Sequence, residues 1–159
     1  MFDLTQALAV AGLVGSALIA GTFYAFSTFV MPALARLAPA RGIEAMQTIN
    51  VTVMHPSVMG VFFGTVLVSI AAVILGATDL AAPHAAALIA GGLLYAVGTF
   101  LVTGVGNVPL NNALAAVEPE SEAGARLWAD YLKRWTRLNH LRTAAATAAT
   151  VAFALALAA

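Results

Sequence analysis

Four uncharged stretches dominate the chain, running from Leu4 to Ala35, Ala45 to Thr78, Leu80 to Val117 and Thr143 to Ala159. A helix crosses the roughly 30 Å hydrocarbon core of a bilayer with about 20 apolar residues. The first three stretches exceed that length. The fourth has 17 residues and reaches only ~25 Å at about 1.5 Å per residue. It can still span if Arg142 sits at the interface, where a long basic side chain snorkels. The pattern predicts an all-α, integral membrane four-helix bundle in a single domain over 1–159. Its helices should lie near 4–31, 53–77, 84–106 and 140–158, the fourth extended on its N-terminal side. Short connections predict that consecutive helices are antiparallel neighbours.

The connections carry the breakers. Pro32 ends or kinks the first helix. Met46 to Asn50 has helical spacing, with Gln47, Asn50 and Met54 on one face. Pro56 deprives the Thr52 carbonyl of its helical donor, so a kinked helix and a new helix starting at Pro56, just after His55, are both open. Asn107-Val108-Pro109-Leu110-Asn111-Asn112 reads as a turn that ends the third helix. Glu118 to Glu122 reads as a helix start, with acid and proline early, and from there one long helix can run to Ala159.

Composition sharpens this reading. Of 159 residues, 62% are hydrophobic and 9% charged. The charge fraction is about a third of that in a soluble domain, and a soluble domain this small leaves much of its surface exposed. Seven basic residues balance seven acidic ones, so no net field draws nucleic acid. There is no cysteine, hence no thiol chemistry. All seven basic residues fall in the first and third connections or at the start of helix four. The positive-inside rule makes that side cytoplasmic and both termini external, in a bacterial inner membrane or a plasma membrane. The N-terminus lacks the basic region of a cleavable signal, so helix one is expected to remain.

Polar residues gather on the basic side. At 100° per residue, Trp128, Tyr131, Trp135, Asn139 and Arg142 share an arc of about 80° on helix four, while Arg126, Asp130, Lys133 and Arg137 lie opposite. An aromatic belt at the membrane surface is one reading of that arc. The other is a polar patch facing the bundle interior, because polar groups at membrane depth seek partners. Tyr24, Ser27, Thr28, Thr99, Thr103 and His55 lie toward the same end. A pocket between helices there is the expected site. The glycines, Gly12 and Gly15 among them, suit close helix packing.

Several chemistries find no pattern. His55, His84 and His140 are isolated, without metal-ligand spacing. No glycine-rich phosphate loop is present, and no carboxylate lies within a span. The segments Phe26-Ser27 through Met31-Pro32-Ala33-Leu34, Met46-Gln47 with Asn50, Asn107-Val108-Pro109-Leu110-Asn111, and Trp128, Tyr131, Trp135, Asn139, His140 and Arg142 resemble the anthrone oxygenase-like membrane family. Many of its bacterial members are domains of unknown function. The resemblance covers almost the whole chain. It implies a four-helix membrane protein and, from the fungal members, oxidation of anthrones to anthraquinones by molecular oxygen without a cofactor.

A cofactor-free monooxygenase must remove a proton, hold the resulting anion and keep a dry cavity for oxygen. Histidine is the natural base, so His140 and His55 are candidates. Arg142 is the candidate for stabilising the anion. Gln47, Asn50, Asn107, Asn111 and Asn139 can orient carbonyl and phenol groups, and Tyr24, Tyr131 and Trp135 can pack on a flat aromatic substrate. Each has a plainer role: His140 at lipid headgroups, His55 at a helix start, Asn107 and Asn111 as caps, Arg142 snorkelling. Two other functions stay open. One is a non-catalytic small-molecule binder or partner subunit, homo-oligomers included. The other is a haem or metal protein ligated by His55 and His140.

Overall fold

The computed structural model describes residues 3–159. It is all-α, with five helices: α1 Leu4–Leu34, α2 Pro39–Thr52, α3 Pro56–Thr78, α4 Ala85–Ala115 and α5 Glu122–Ala158. All but α2 are long and apolar enough to cross a membrane. α1 packs on α3 and α5, and α4 packs on the same two, so the four long helices close a ring. α2 lies across one end, against α4 and α5.

Each start has a local cause. Asp3 and Gln6 form a reciprocal capping box on α1. Pro39 and Pro56 stand in the first turns of α2 and α3, where a missing N–H costs nothing. The chain therefore breaks at Thr52 and restarts at Pro56, with His55 capping Ser57. Ser121 caps α5 through the Gly124 N–H at 2.9 Å.

Pro32 and Pro109 do not end their helices. Five residues before each proline adopt π-helical turns, Phe26–Val30 and Thr103–Asn107. The Met31 N–H reaches the Phe26 carbonyl, and Val108 reaches Thr103. This i to i−5 pairing widens the helix and absorbs the donor that the proline lacks. The expected turn at Asn107–Asn112 is thus corrected: α4 continues to Ala115. Both extensions feed one cluster. Met31 and Leu34 from α1 and Leu110 and Leu114 from α4 meet Ile43 and Met46 of α2 and the aromatics of α5.

The opposite end packs through small residues. A Cβ on Gly12 would sit 2.7 Å from the Phe153 ring, and one on Gly91 would sit 3.1 Å from it. Phe153 is fully buried between α1 and α4 at the cost of any side chain there.

Candidate functional site

A cavity of about 230 Å³ lies at the end that carries the basic residues. Its walls are overwhelmingly apolar. Ile19, Phe23 and Phe26 come from α1, Met46 and Ile49 from α2, and Met59, Phe62 and Phe63 from α3. Met54 and Val58 stand beside the break between α2 and α3. Against that background a few polar groups converge: Asn50, Thr103, Asn111, Trp135 and Arg142.

The α5 arc is interior. Trp128, Tyr131, Trp135, Asn139 and Arg142 are all buried, while Arg126, Asp130, Lys133 and Arg137 are exposed. An aromatic belt facing lipid is therefore not what the stripe forms. Trp128 stacks on Tyr131, and Tyr131 on Trp135, at centroid spacings of 5.5 and 6.1 Å. Gly42 of α2 brings its backbone against the Trp128 indole, where a Cβ would stand 2.8 Å away.

Arg142 is only 3% exposed. Its Nη2 donates to Asn139 Oδ1 at 2.7 Å and its Nη1 to Thr103 Oγ1 at 3.1 Å. The guanidinium lies 4.0 Å from the Phe23 ring centre and 5.1 Å from that of Trp135. Such desolvated cation–π contacts contribute about 2 kcal/mol each. No carboxylate pairs with it. Among the described residues the three ion pairs, Arg41–Glu44, Arg126–Glu122 and Arg134–Asp130, are local surface contacts. Nε of Arg142 is buried and has no partner. A buried cation without a counter-anion is costly, and it makes this wall of the cavity receptive to an anion.

Asn139 is a brace for that cation. Its Nδ2 donates to the Phe23 carbonyl at 2.7 Å and to Ser27 Oγ at 2.8 Å, which leaves Oδ1 turned to Arg142. Asn111 has a different role in the wall. Its Oδ1 accepts both the Tyr131 hydroxyl and the Trp135 indole N–H, each at 2.8 Å. Asn107 is buried and donates to the Trp135 carbonyl at 3.3 Å. Neither Asn107 nor Asn111 caps a helix terminus, because the helix runs through them.

The remaining candidates stand elsewhere. Gln47 donates to the carbonyls of Leu114 and Val117 at 2.9 and 3.1 Å, fastening α2 to the end of α4, outside the cavity wall. Tyr24 is 61% exposed on the outer face of α1. Depth alone suggested it; the inward face is the i, i+3 pair Phe23 and Phe26, which the helical period could have picked out. His140 is exposed and meets Ser27 Oγ at 3.0 Å. His55 is exposed at the start of α3, its Nδ1 2.8 Å from Ser57 Oγ. Neither histidine lines the cavity. Among the described residues no three His, Cys, Asp or Glu side chains are grouped to hold a metal ion. Phe23, absent from the sequence-based candidates, and Thr103, which its depth places at this end without a role, are both in the wall and in contact with Arg142.

No curated protein and no solved structure matches the chain. The family model for anthrone oxygenase matches residues 56–152, a stretch that holds α3, α4 and most of α5 and with them Thr103, Asn107, Asn111, Trp135, Asn139 and Arg142. That match spans more than half of the sequence, and the chain belongs to the anthrone oxygenase family.

Proposed function

We propose that the protein is a membrane-embedded monooxygenase that oxidises an anthrone-like or other hydroxylated, flat aromatic molecule with molecular oxygen. The observation that carries this reading is Arg142, a buried guanidinium without an acidic partner on the wall of an apolar cavity. The reaction asks for that combination. Loss of a proton from an activated methylene or phenol gives a delocalised oxyanion, and a preorganised cation in a dry site lowers its energy. One atom of oxygen then ends in the new carbonyl and the other in water, which takes up the two hydrogens of the methylene. The electrons come from the substrate.

In this reading Arg142 holds the oxyanion, Asn139 and Thr103 aim the guanidinium, and Asn50, Asn111 and Trp135 orient the ring system. Phe23, Phe26 and Phe62 supply its apolar bed. His55, flanked by the lining residues Met54 and Val58 but outside the wall itself, receives the substrate proton through an intervening water. The chain is one membrane domain with its basic end cytoplasmic and both termini external, by the segregation of lysine and arginine. The ligand is an apolar aromatic small molecule, as the lining of the cavity suits.

The test is oxygen uptake by the purified chain on a panel of hydroxylated anthrones and naphthols. Arg142→Ala should lose on the order of a hundredfold in rate. Arg137→Ala, which removes an exposed charge, should leave it nearly unchanged. Equal rates at equal membrane abundance would remove Arg142 from the reaction.

A further inference from the structure

Arg142 has no carboxylate partner, yet its hydrogen bonding does not stop at the cavity wall. A guanidinium only donates, so the atom that Nη2 meets at 2.7 Å is the side-chain oxygen of Asn139. A backbone carbonyl only accepts, so the atom 2.7 Å from the Phe23 carbonyl is Nδ2 of the same amide. Asn139 is thus oriented from both ends, where side-chain amides are otherwise ambiguous. The second hydrogen of Nδ2 goes to Ser27 Oγ at 2.8 Å. The Ser27 hydroxyl then has two acceptors for its own hydrogen, Nδ1 of His140 at 3.0 Å and Oγ1 of Thr143 at 3.2 Å. Thr143 can only accept there, because its hydrogen is spent on the Asn139 backbone carbonyl at 2.8 Å. Asn139 and Ser27 therefore join the buried cation to His140, an exposed residue of α5.

The proton on His140 decides the direction of the last bond. With Nδ1 unprotonated, Ser27 donates to it at the shorter of the two distances. Every bond then points outward, from Arg142 to Asn139 to Ser27 to His140. Bonds aligned head to tail polarise one another, so positive charge is drawn from the guanidinium toward solvent. An imidazolium carries hydrogen on both nitrogens. Nδ1 then donates to Ser27, and the hydroxyl turns to Thr143. No bond is lost, but the outward polarisation ends and a second positive charge stands behind the wall. We infer that His140 and Ser27 are positioning residues of the Arg142 anion site: through Asn139 they draw charge away from the cavity when His140 is neutral, and return it to an aromatic oxyanion there when His140 is protonated. The inference rests on the reading of Arg142 as the group that holds the oxyanion, and it adds what governs that group. Few other groups near His140 carry or change charge. α1 offers Tyr24 and no charged residue from Leu4 to Ala35, and α5 offers Arg137 and Arg142 within a turn and no carboxylate there. α3 and α4 hold no charged residue, and Arg41 and Glu44 of α2 pair with each other.

The experiment measures binding, so it does not depend on turnover. The chain, purified in a non-ionic detergent, is titrated by fluorescence with naphthalene-2-sulfonate, whose charge is fixed, and with naphthalene. The two affinities are compared at about pH 5.5 and about pH 8, across the range in which imidazoles change charge. The parent chain should prefer the sulfonate, and that preference should rise about threefold toward the acidic end, the modest effect of an exposed and screened charge. His140→Gln should make the preference flat with pH. Ser27→Ala leaves the imidazole in place and cuts the arm, and should flatten it too. Ser27→Thr, which keeps the hydroxyl, should restore the change. If Ser27→Ala loses its naphthalene affinity and so its fold, Ser27→Cys takes its place, with nearly the same size and only weak hydrogen bonding. A pH dependence that survives loss of the Ser27 hydroxyl would be bare charge acting through space, and one that survives His140→Gln would belong to His55. Either result overturns the arm, and so does a flat profile in the parent. A parent chain that does not prefer the sulfonate would defeat the anion reading of Arg142 and the arm with it. Absence of oxygen uptake would defeat the oxygenase reading and leave these ratios standing.

Discussion

The two π–proline junctions are the same backbone device carrying different chemistry. In α1 the segment Phe26–Val30 precedes Pro32; in α4 the segment Thr103–Asn107 precedes Pro109. Both are introduced by Gly-Thr-Phe, at Gly21 and at Gly98, and the two sets of positions are offset by a constant 77 residues. Under that offset Phe26 corresponds to Thr103, Val30 to Asn107 and Leu34 to Asn111. These positions are four apart and share a helix face. In α1 they hold an apolar surface: Phe26 lies 5.6 Å from Trp135, and Leu34 is buried in the cluster beneath α2. In α4 they hold an acceptor for Arg142, a donor to the Trp135 carbonyl and the amide that receives Tyr131 and Trp135. The device itself only carries a helix past a proline. Function comes from which three residues ride on it.

The comparison can be broken at those positions. Asn111→Leu would give the α4 junction the residue of the α1 junction. It should reduce oxygen uptake on a phenolic substrate by about tenfold or more, since it leaves two buried donors, Tyr131 and Trp135, without an acceptor. Circular dichroism of the variant should still show the helical content of the parent. The reverse change, Leu34→Asn, should cost about 2 to 4 kcal/mol. It exchanges a buried leucine for an amide with nothing beside it to bond, and thermal unfolding in detergent reads the loss. Asn111→Leu falling on stability alone, or Leu34→Asn falling on activity alone, would mean that the two faces are not divided as described. The smallest effect is expected at the prolines. Pro32→Ala and Pro109→Ala should each shift stability by less than about 1 kcal/mol, because the π turns already satisfy the neighbouring carbonyls. A loss of several kcal/mol at either would make the proline itself the cause of the wide turn.

How much of this was legible in the sequence depends on what sets each feature. The four apolar helices follow from charge spacing alone. The buried arc from Trp128 to Arg142 follows from the helical period, which holds without interruption along α5. The continuation of α4 past Pro109 does not follow, because prolines and clustered asparagines ordinarily stop a helix, and a one-residue widening leaves no mark in a pattern read at 100° per residue. Gln47 illustrates a different limit. Its position on α2 was readable, but a side chain that long serves whichever carbonyls end a neighbouring helix, and α4 was expected to end earlier. Tyr24 and His140 lie at the right depth and on the wrong face, one residue from Phe23 and Asn139, respectively. Depth comes from counting charges, whereas facing requires knowing what each helix packs against.

The unbroken length of α5 has a mechanical consequence. Trp128 in the cluster beneath α2 and Phe153 between the glycines are 25 residues apart, about 38 Å along one rod. A rod of that kind does not fold in the middle, so α5 cannot swing away to admit a guest. The first half of α1 and the middle of α4 are locked to it by small-residue contacts, and α3 is locked to those two helices. The short α2, bounded by the non-helical residues 35–38 and 53–55, is set across the end of this rod by Gly42 against Trp128 and by the side chain of Gln47 on two carbonyls of α4 and its trailing loop.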